Sequence, residues 1–337
     1  MKVLNLYGVD DLRYDDVPKP KPQKGEVLLK VRACGICGSD IPRVYEKGTY
    51  HFPTVIGHEF AGEVVESEEK ELLGRRAAVF PLLPCGKCDA CEEGHYAQCK
   101  SYSYYGSRQD GGMAEFLAVK KENLCLLPDG VPFEWGAMSE PAAVALHALR
   151  QSGAGVGDTL FLYGIGTISL LIAQWAKAAG VGRIIMAGRT EAKLSIARKM
   201  GFEAVHTENA ATVQDMDVCI EGTGCSEGVA ACLQAARNFA RVVLLGNPPG
   251  GGICLKQKDY WHILRKELQL LGTWNSSYST IHNDWRQAVW GMQTGILQLP
   301  PLITHTFLLE DYQQAFSLMH EKKEVYLKVM LTMGDEK

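Results

Sequence analysis

Basic residues are in short supply in this chain. Its 337 residues carry 35 Lys and Arg against 39 Asp and Glu, a formal net charge of −4, and no cluster of Lys and Arg interrupts that balance. A nucleic-acid backbone or an anionic membrane surface calls for a concentrated positive face, so neither is expected as a partner. Long apolar runs are missing too. The longest, 159–179, is broken by glycines and suits a buried strand followed by a helix, so no transmembrane span is expected. The first ten residues hold one basic residue and no extended apolar stretch. They do not read as a secretory signal, and a cytoplasmic location is expected. No internal repeat or low-complexity tract is visible.

What is present is a globular composition, 46% hydrophobic and 22% charged, enough at this length for about two domain cores. Residues 1–145 contain short β-type runs, among them 27–32, 61–65, 76–80 and 114–119. Gly and Pro punctuate these runs, which predicts an irregular β-barrel or folded sheet. The character changes near Pro141. In residues 146–285 strands and helices alternate: strand 160–163, helix 167–179, strand 183–187, helix 191–200, then strands at 218–221, 242–245 and 268–271. That is the rhythm of a doubly wound parallel sheet, so the class is α/β. Residues 286–337 lose the rhythm and are expected to return to the first domain.

Cysteine is where the sequence is rich. There are eleven, an odd number, and four of them, Cys85, Cys88, Cys91 and Cys99, fall within fifteen residues. In a chain with no secretory signal this favours metal ligation over disulfides. The two-residue gaps let a tight turn aim neighbouring thiolates at one point, and Gly86 and Gly94 permit the turns. Four thiolates leave no open coordination position, so the site is expected to hold a structural zinc ion. The spacing differs from the common ferredoxin patterns of iron–sulfur clusters. A second, mixed donor set lies upstream. Cys34 and Cys37 precede Ser39 and Asp40, then comes Gly57-His58-Glu59, and Glu140 offers a further carboxylate. Cys37, His58 and a carboxylate with one open place form a catalytic type of zinc site.

On these residues, together with Gly106-Ser107-Arg108 followed by Asp110-Gly111-Gly112 and the run 264–268, the chain resembles the zinc-containing medium-chain dehydrogenase/reductase superfamily, in its polyol dehydrogenase branch. The resemblance covers nearly the whole length. It implies a GroES-like catalytic domain, discontinuous in sequence, and a Rossmann cofactor domain, with the active site in the cleft between them. It also implies a homodimer or homotetramer. Cys37 and His58 would hold the catalytic zinc, with Glu59 or Glu140 completing the shell directly or through water. Cys34 would pack nearby. Ser39 would pass the hydroxyl proton toward solvent.

The cofactor fingerprint is Gly164-Ile165-Gly166-Thr167-Ile168-Ser169, after a strand and before a helix. Gly164 permits the tight turn, Gly166 admits the pyrophosphate, and Thr167 and Ile168 open the helix whose N-terminus favours phosphate. Ser169 replaces the third glycine and is small enough to keep the helix close to the strand. The second strand ends in Gly188-Arg189, without the acid that would hold a ribose 2′-hydroxyl. A guanidinium there suits a 2′-phosphate, so NADP(H) is expected over NAD(H). The substrate expected from the resemblance is a secondary alcohol of a polyol or polyol phosphate, galactitol 1-phosphate-like, oxidised to the ketose. Arg43, Arg108 and Asn275 are candidate substrate residues, the arginines for a phosphate. An unphosphorylated, sorbitol-like polyol is the alternative, as is the same chemistry run backwards as a ketose-phosphate reductase.

Overall fold

The computed structural model describes residues 1–334 except 249 and 251. The last part of the expected C-terminal return, 335–337, lies outside the described residues. The chain forms two compact units, Met1–Ala143 with Ser277–Lys337, and Val144–Ser276.

In the first unit the organising element is the eleven-residue strand Glu26–Ile36, whose apolar residues are almost all buried. Its length lets it serve three partners. One edge pairs antiparallel with Glu59–Glu66. The other edge is shared, with Phe116–Lys120 on its first half and Lys328–Thr332 on its second. Lys328–Thr332 in turn pairs parallel with Ile303–Leu308. On the far side Glu59–Glu66 pairs with Arg76–Val79, which pairs with Leu124–Leu126. The strands therefore form one mixed sheet around a core that includes Leu29, Val31, Ile56, Phe60, Met113, Phe316 and Val329. The ends of three strands meet where Ile36, Glu59 and Lys328 stand. Cys37 follows Ile36 directly, so the sheet itself delivers residues of the mixed donor set to one place.

The second unit is a six-stranded parallel sheet. Its order is Glu203–His206, Arg183–Gly188, Thr159–Tyr163, Met216–Glu221, Ala236–Leu244 and Gln269–Gly272. Leu160 to Tyr163 are all buried, as expected of a central parallel strand covered on both faces. The chain runs outward from this strand to one edge and then returns to its other side. The strand order thus reverses at Tyr163, and the crevice beyond the carboxyl ends of the strands opens there. Among the described residues, no helix is long and apolar enough to cross a membrane.

Candidate metal centres and cofactor crevice

The four-cysteine lobe is built on turns. Gly86 and Gly94 both take positive φ, 71° and 79°, so each serves the turn expected of it. Between them the short helix Asp89–Glu92 places Cys91 one turn from Cys88. The sulfurs of Cys85, Cys88, Cys91 and Cys99 lie within 4.8 Å of one another. A tetrahedron with zinc–sulfur bonds of about 2.3 Å has edges of about 3.8 Å. The Cys88–Cys91 and Cys85–Cys91 separations, 3.5 and 3.9 Å, bracket that edge. Backbone N–H groups are turned toward the sulfurs. The bond from Lys87 is the main reason the Cys85 thiol falls to about 6, and the bond from Lys100 lowers Cys88. Burial pushes Cys91 up to about 12. Four crowded sulfurs, two already inclined to ionise, fit a metal ion.

The mixed donor set also converges. Ligand atoms of Cys37, His58 and Glu59 lie within 4.8 Å of one another. His58 and Glu59 are buried and Cys37 half-buried. One carboxylate ties the first two donors together. Asp40 Oδ2 accepts the Cys37 backbone N–H at 3.0 Å, and Asp40 Oδ1 lies 3.5 Å from His58 Nδ1. Arg43 Nη1 donates to the same Oδ1 at 2.5 Å. Burial alone would push Asp40 up, but His58 and Arg43 outweigh it and leave the carboxyl at about 2. Burial alone would likewise favour a neutral imidazole. The negative charge of Asp40 and Cys37 outweighs that and raises His58 well above its ordinary value. The pocket therefore favours positive charge, with Asp40 facing His58 Nδ1 and the three donors converging beside it. A divalent metal on thiolate, imidazole and carboxylate meets that demand, so the residues fit the ion.

The remaining predicted residues are placed as follows. Cys34 is buried and stands outside the trio, against its neighbour's carbonyl. Glu140 opens the helix Ser139–Ser152, is buried, and also stands outside the trio. Burial is the main cause that raises its carboxyl to about 7, against the pull of His58. Ser39 is exposed, and its hydroxyl does not cap the turn that follows. Arg43 is half-buried and gives one guanidinium N–H to Asp40, beside the metal donors. Arg108 donates to the Tyr102 carbonyl at 3.2 Å, with its guanidinium over the rings of Tyr50 and Tyr102 at 4.2 and 4.7 Å. Tyr102 packs edgewise on Tyr104, and Tyr104 on His58. A row of rings thus links Arg108 to the metal site. Asn275 stands in the second unit at positive φ, its amide oxygen taken by Ser276.

Two residues that sequence reasoning assigned no role complete the site. Asp40 was visible next to Ser39, but nothing local tells that it braces a histidine eighteen positions later. Lys328 is buried, and its Nζ donates to Glu59 Oε1 at 2.7 Å, to Glu59 Oε2, and to the Ile36 carbonyl at 3.3 Å. No sequence signal marks it.

The crevice of the second unit starts at Gly164, with φ of 108°. Gly166 precedes the helix Thr167–Ala178, and a Cβ on it would meet nothing within 4 Å. Open space thus faces the first helical turn, where the N–H groups of Thr167 and Ile168 have no intrahelical acceptor. A pyrophosphate fits such a cradle. Ser169 is buried, with its Oγ 3.0 Å from where a Cβ on Gly222 would sit. It packs as the third glycine would. Gly188 ends its strand so close to Ile165 that a Cβ would come within 2.8 Å of that side chain. Arg189 is exposed, and its carbonyl lies 2.8 Å from His206 Nε2.

Residues 23–129 match the alcohol dehydrogenase GroES-like domain, and residues 167–293 match the zinc-binding dehydrogenase domain. The chain is 33% identical to galactitol 1-phosphate 5-dehydrogenase of Escherichia coli over 89% of its length and 90% of that protein's. It is 32% identical to D-arabitol-phosphate dehydrogenase of Enterococcus avium (98% and 96% covered) and 28% identical to sorbitol dehydrogenase of Bacillus subtilis (98% and 97%). Among solved structures, it is similar to galactitol-1-phosphate dehydrogenase of Escherichia coli, with TM-score 0.91, 30% identity, and 98% and 100% of the two chains covered. A zinc-binding dehydrogenase of Sinorhizobium meliloti bound to NADP gives 0.90 at 28% identity, with 98% of each chain covered. An alcohol dehydrogenase of Escherichia coli complexed with NADH gives 0.89 at 28% identity, with 99% of each covered.

Proposed function

The chain belongs to the zinc-binding alcohol dehydrogenase family, and from that premise we propose that it oxidises a secondary alcohol of a galactitol 1-phosphate-like polyol phosphate to the ketose, with NADP⁺ preferred over NAD⁺. The observation that carries the chemistry is the convergence of ligand atoms of Cys37, His58 and Glu59 to within 4.8 Å of one another. Cys37 and His58 hold the catalytic zinc, and Glu59 or Glu140 supplies the carboxylate. When bound, the ion provides Lewis acidity to an alkoxide or carbonyl oxygen, and the nicotinamide accepts or returns the hydride. Asp40 fixes the His58 ring, as a carboxylate behind a ligating histidine does. Ser39, exposed and free of capping duty, passes the hydroxyl proton toward solvent. Cys85, Cys88, Cys91 and Cys99 hold a second, structural zinc. Gly164, Gly166, Thr167 and Ile168 cradle the pyrophosphate, Gly188 leaves room beside Ile165, and Arg189 meets the 2′-phosphate.

The phosphate end of the substrate is assigned to Arg108. Its tyrosine stack keeps the guanidinium ordered, and no carboxylate pairs with it among the described residues. Arg43 shares its guanidinium with Asp40 and remains the second candidate for the phosphate; an unphosphorylated polyol is the second reading.

Initial rates on galactitol 1-phosphate and galactitol, each with NADP⁺ and NAD⁺, test the reading. We expect kcat/KM to favour the ester by more than about tenfold, roughly 1.4 kcal/mol of transition-state binding. Equal or reversed values would turn the assignment to an ordinary polyol dehydrogenase. Arg189→Ala is expected to raise KM for NADP⁺ much more than for NAD⁺, and equal effects would remove the cofactor assignment.

A homodimer or homotetramer is proposed as well, and an exposed sheet edge supports it. Gln269–Gly272 ends the parallel sheet, and Leu270 and Trp274 are exposed there. An uncovered edge strand readily pairs with another chain. Light scattering is expected to return at least twice the chain mass, and a monomer at micromolar concentration would reject this. All eleven cysteines are free, which suits a reducing compartment such as the cytoplasm.

A further inference from the structure

Glu59 is claimed twice. It belongs to the donor trio with Cys37 and His58, yet both of its carboxylate oxygens accept from the buried Lys328 ammonium, which spends its third proton on the Ile36 carbonyl. An ammonium has three protons, so Lys328 is saturated and none of its donors is left for solvent or substrate. The fold makes room for this pair. Gly35 lies opposite Glu59 in one ladder and Met330 in the next. A Cβ there would run into Glu59 Oε2 and come within 3.3 Å of Lys328 Cδ. An apolar pair would fill the same space at less desolvation cost, so stability alone does not explain the ion pair.

We propose that Lys328 is a positioning residue that holds Glu59 back from the catalytic metal and so keeps one coordination place open for the substrate oxygen. This rests on the reading of Cys37 and His58 as metal ligands. A carboxylate bridged to an ammonium is a weaker donor than a free one. With Lys328 in place, Glu59 contributes charge to the pocket without occupying the ion, and Glu140 is the carboxylate left to come and go. Without Lys328, Glu59 loses the ammonium that both its oxygens bind and would be free to turn to the metal.

The test uses full-length, metal-loaded protein and follows zinc loss to a chelator, with visible absorption of the cobalt-substituted enzyme as a count of ligands. In Lys328→Met, zinc loss from the catalytic site is expected to slow at least tenfold. The cobalt spectrum should shift as a carboxylate joins the ion, and kcat should fall while KM for the cofactor holds. Lys328→Arg should restore the wild-type loss rate, and Glu59→Gln added to Lys328→Met should cancel the slowing. A folded Lys328→Met that loses zinc at the wild-type rate or faster overturns the proposal. Should that variant not fold, Glu59→Gln alone decides. Loss within about threefold of wild type supports a restrained Glu59, and loss tenfold faster shows Glu59 on the metal despite Lys328 and overturns the idea. A wild-type chain that holds only the lobe's ion overturns the metal reading and this inference together. A wild-type chain with two ions and an unaltered Lys328→Met overturns the inference alone.

Discussion

Cys37→Ala is expected to lower kcat/KM by at least about a thousandfold, roughly 4 kcal/mol of transition-state stabilisation, with little change in folding stability. The asymmetry follows from the site. Cys37 is half-buried and follows the end of its strand. Its side chain is a donor to the pocket more than a piece of the core. Asp40 still accepts the Cys37 backbone N–H in the variant, because that bond does not involve the thiol. His58→Ala would be a poorer experiment. It strands the buried Asp40 beside a cavity and so mixes lost chemistry with lost stability. Steady-state kinetics combined with zinc analysis make the test. The zinc content should fall from about two ions per chain to about one as activity disappears. Activity within tenfold of wild type would remove Cys37 from the chemistry.

Cys91→Ser attacks the other centre and is expected to act on stability first. Cys91 is buried, and its sulfur lies near those of both Cys85 and Cys88. The lobe has only a four-residue helix and one 3₁₀ turn of its own, too little to fold without a cross-link. Metal binding then supplies most of its folding free energy. Loss of one thiolate should release one zinc per chain and lower the melting temperature by about 5 °C, a few kcal/mol at this chain size. Residual activity should track the folded fraction, with KM unchanged. An unchanged zinc count and melting temperature would show that the four cysteines do not ligate a metal.

How far the sequence carries depends on how local the physics is. The lobe's four thiols fall within one short stretch, so their spacing alone announces a tetrahedral site. The crevice at Gly164 is also local, a strand, a turn and a helix in succession. The site around Cys37 is legible only as to its donors. The partner that fixes Glu59 is Lys328, which reaches it across 269 positions through strand pairing. No pattern in either segment records that. Arg43 shows a different gap. Near a candidate metal cysteine, an arginine reads naturally as a phosphate ligand, and that it also gives a hydrogen bond to Asp40 three positions back is invisible in a list of charges. Arg108 was chosen by the same reasoning, but what its surroundings add are the rings of Tyr50 and Tyr102.

The shared strand Glu26–Ile36 also sets a schedule. One half of its edge waits for Lys328–Thr332, and Lys328 lies 292 residues after the Ile36 carbonyl it binds. A ribosome adds about 5 to 20 residues per second, so some fifteen seconds or more separate the emergence of the two. During that interval the side chains of both donor sets, complete by residue 99, have emerged, while Glu59 still lacks its ammonium partner. If both donor sets hold metal as proposed, each has its side chains early in synthesis, and what comes last is the restraint on Glu59 that would open a coordination place.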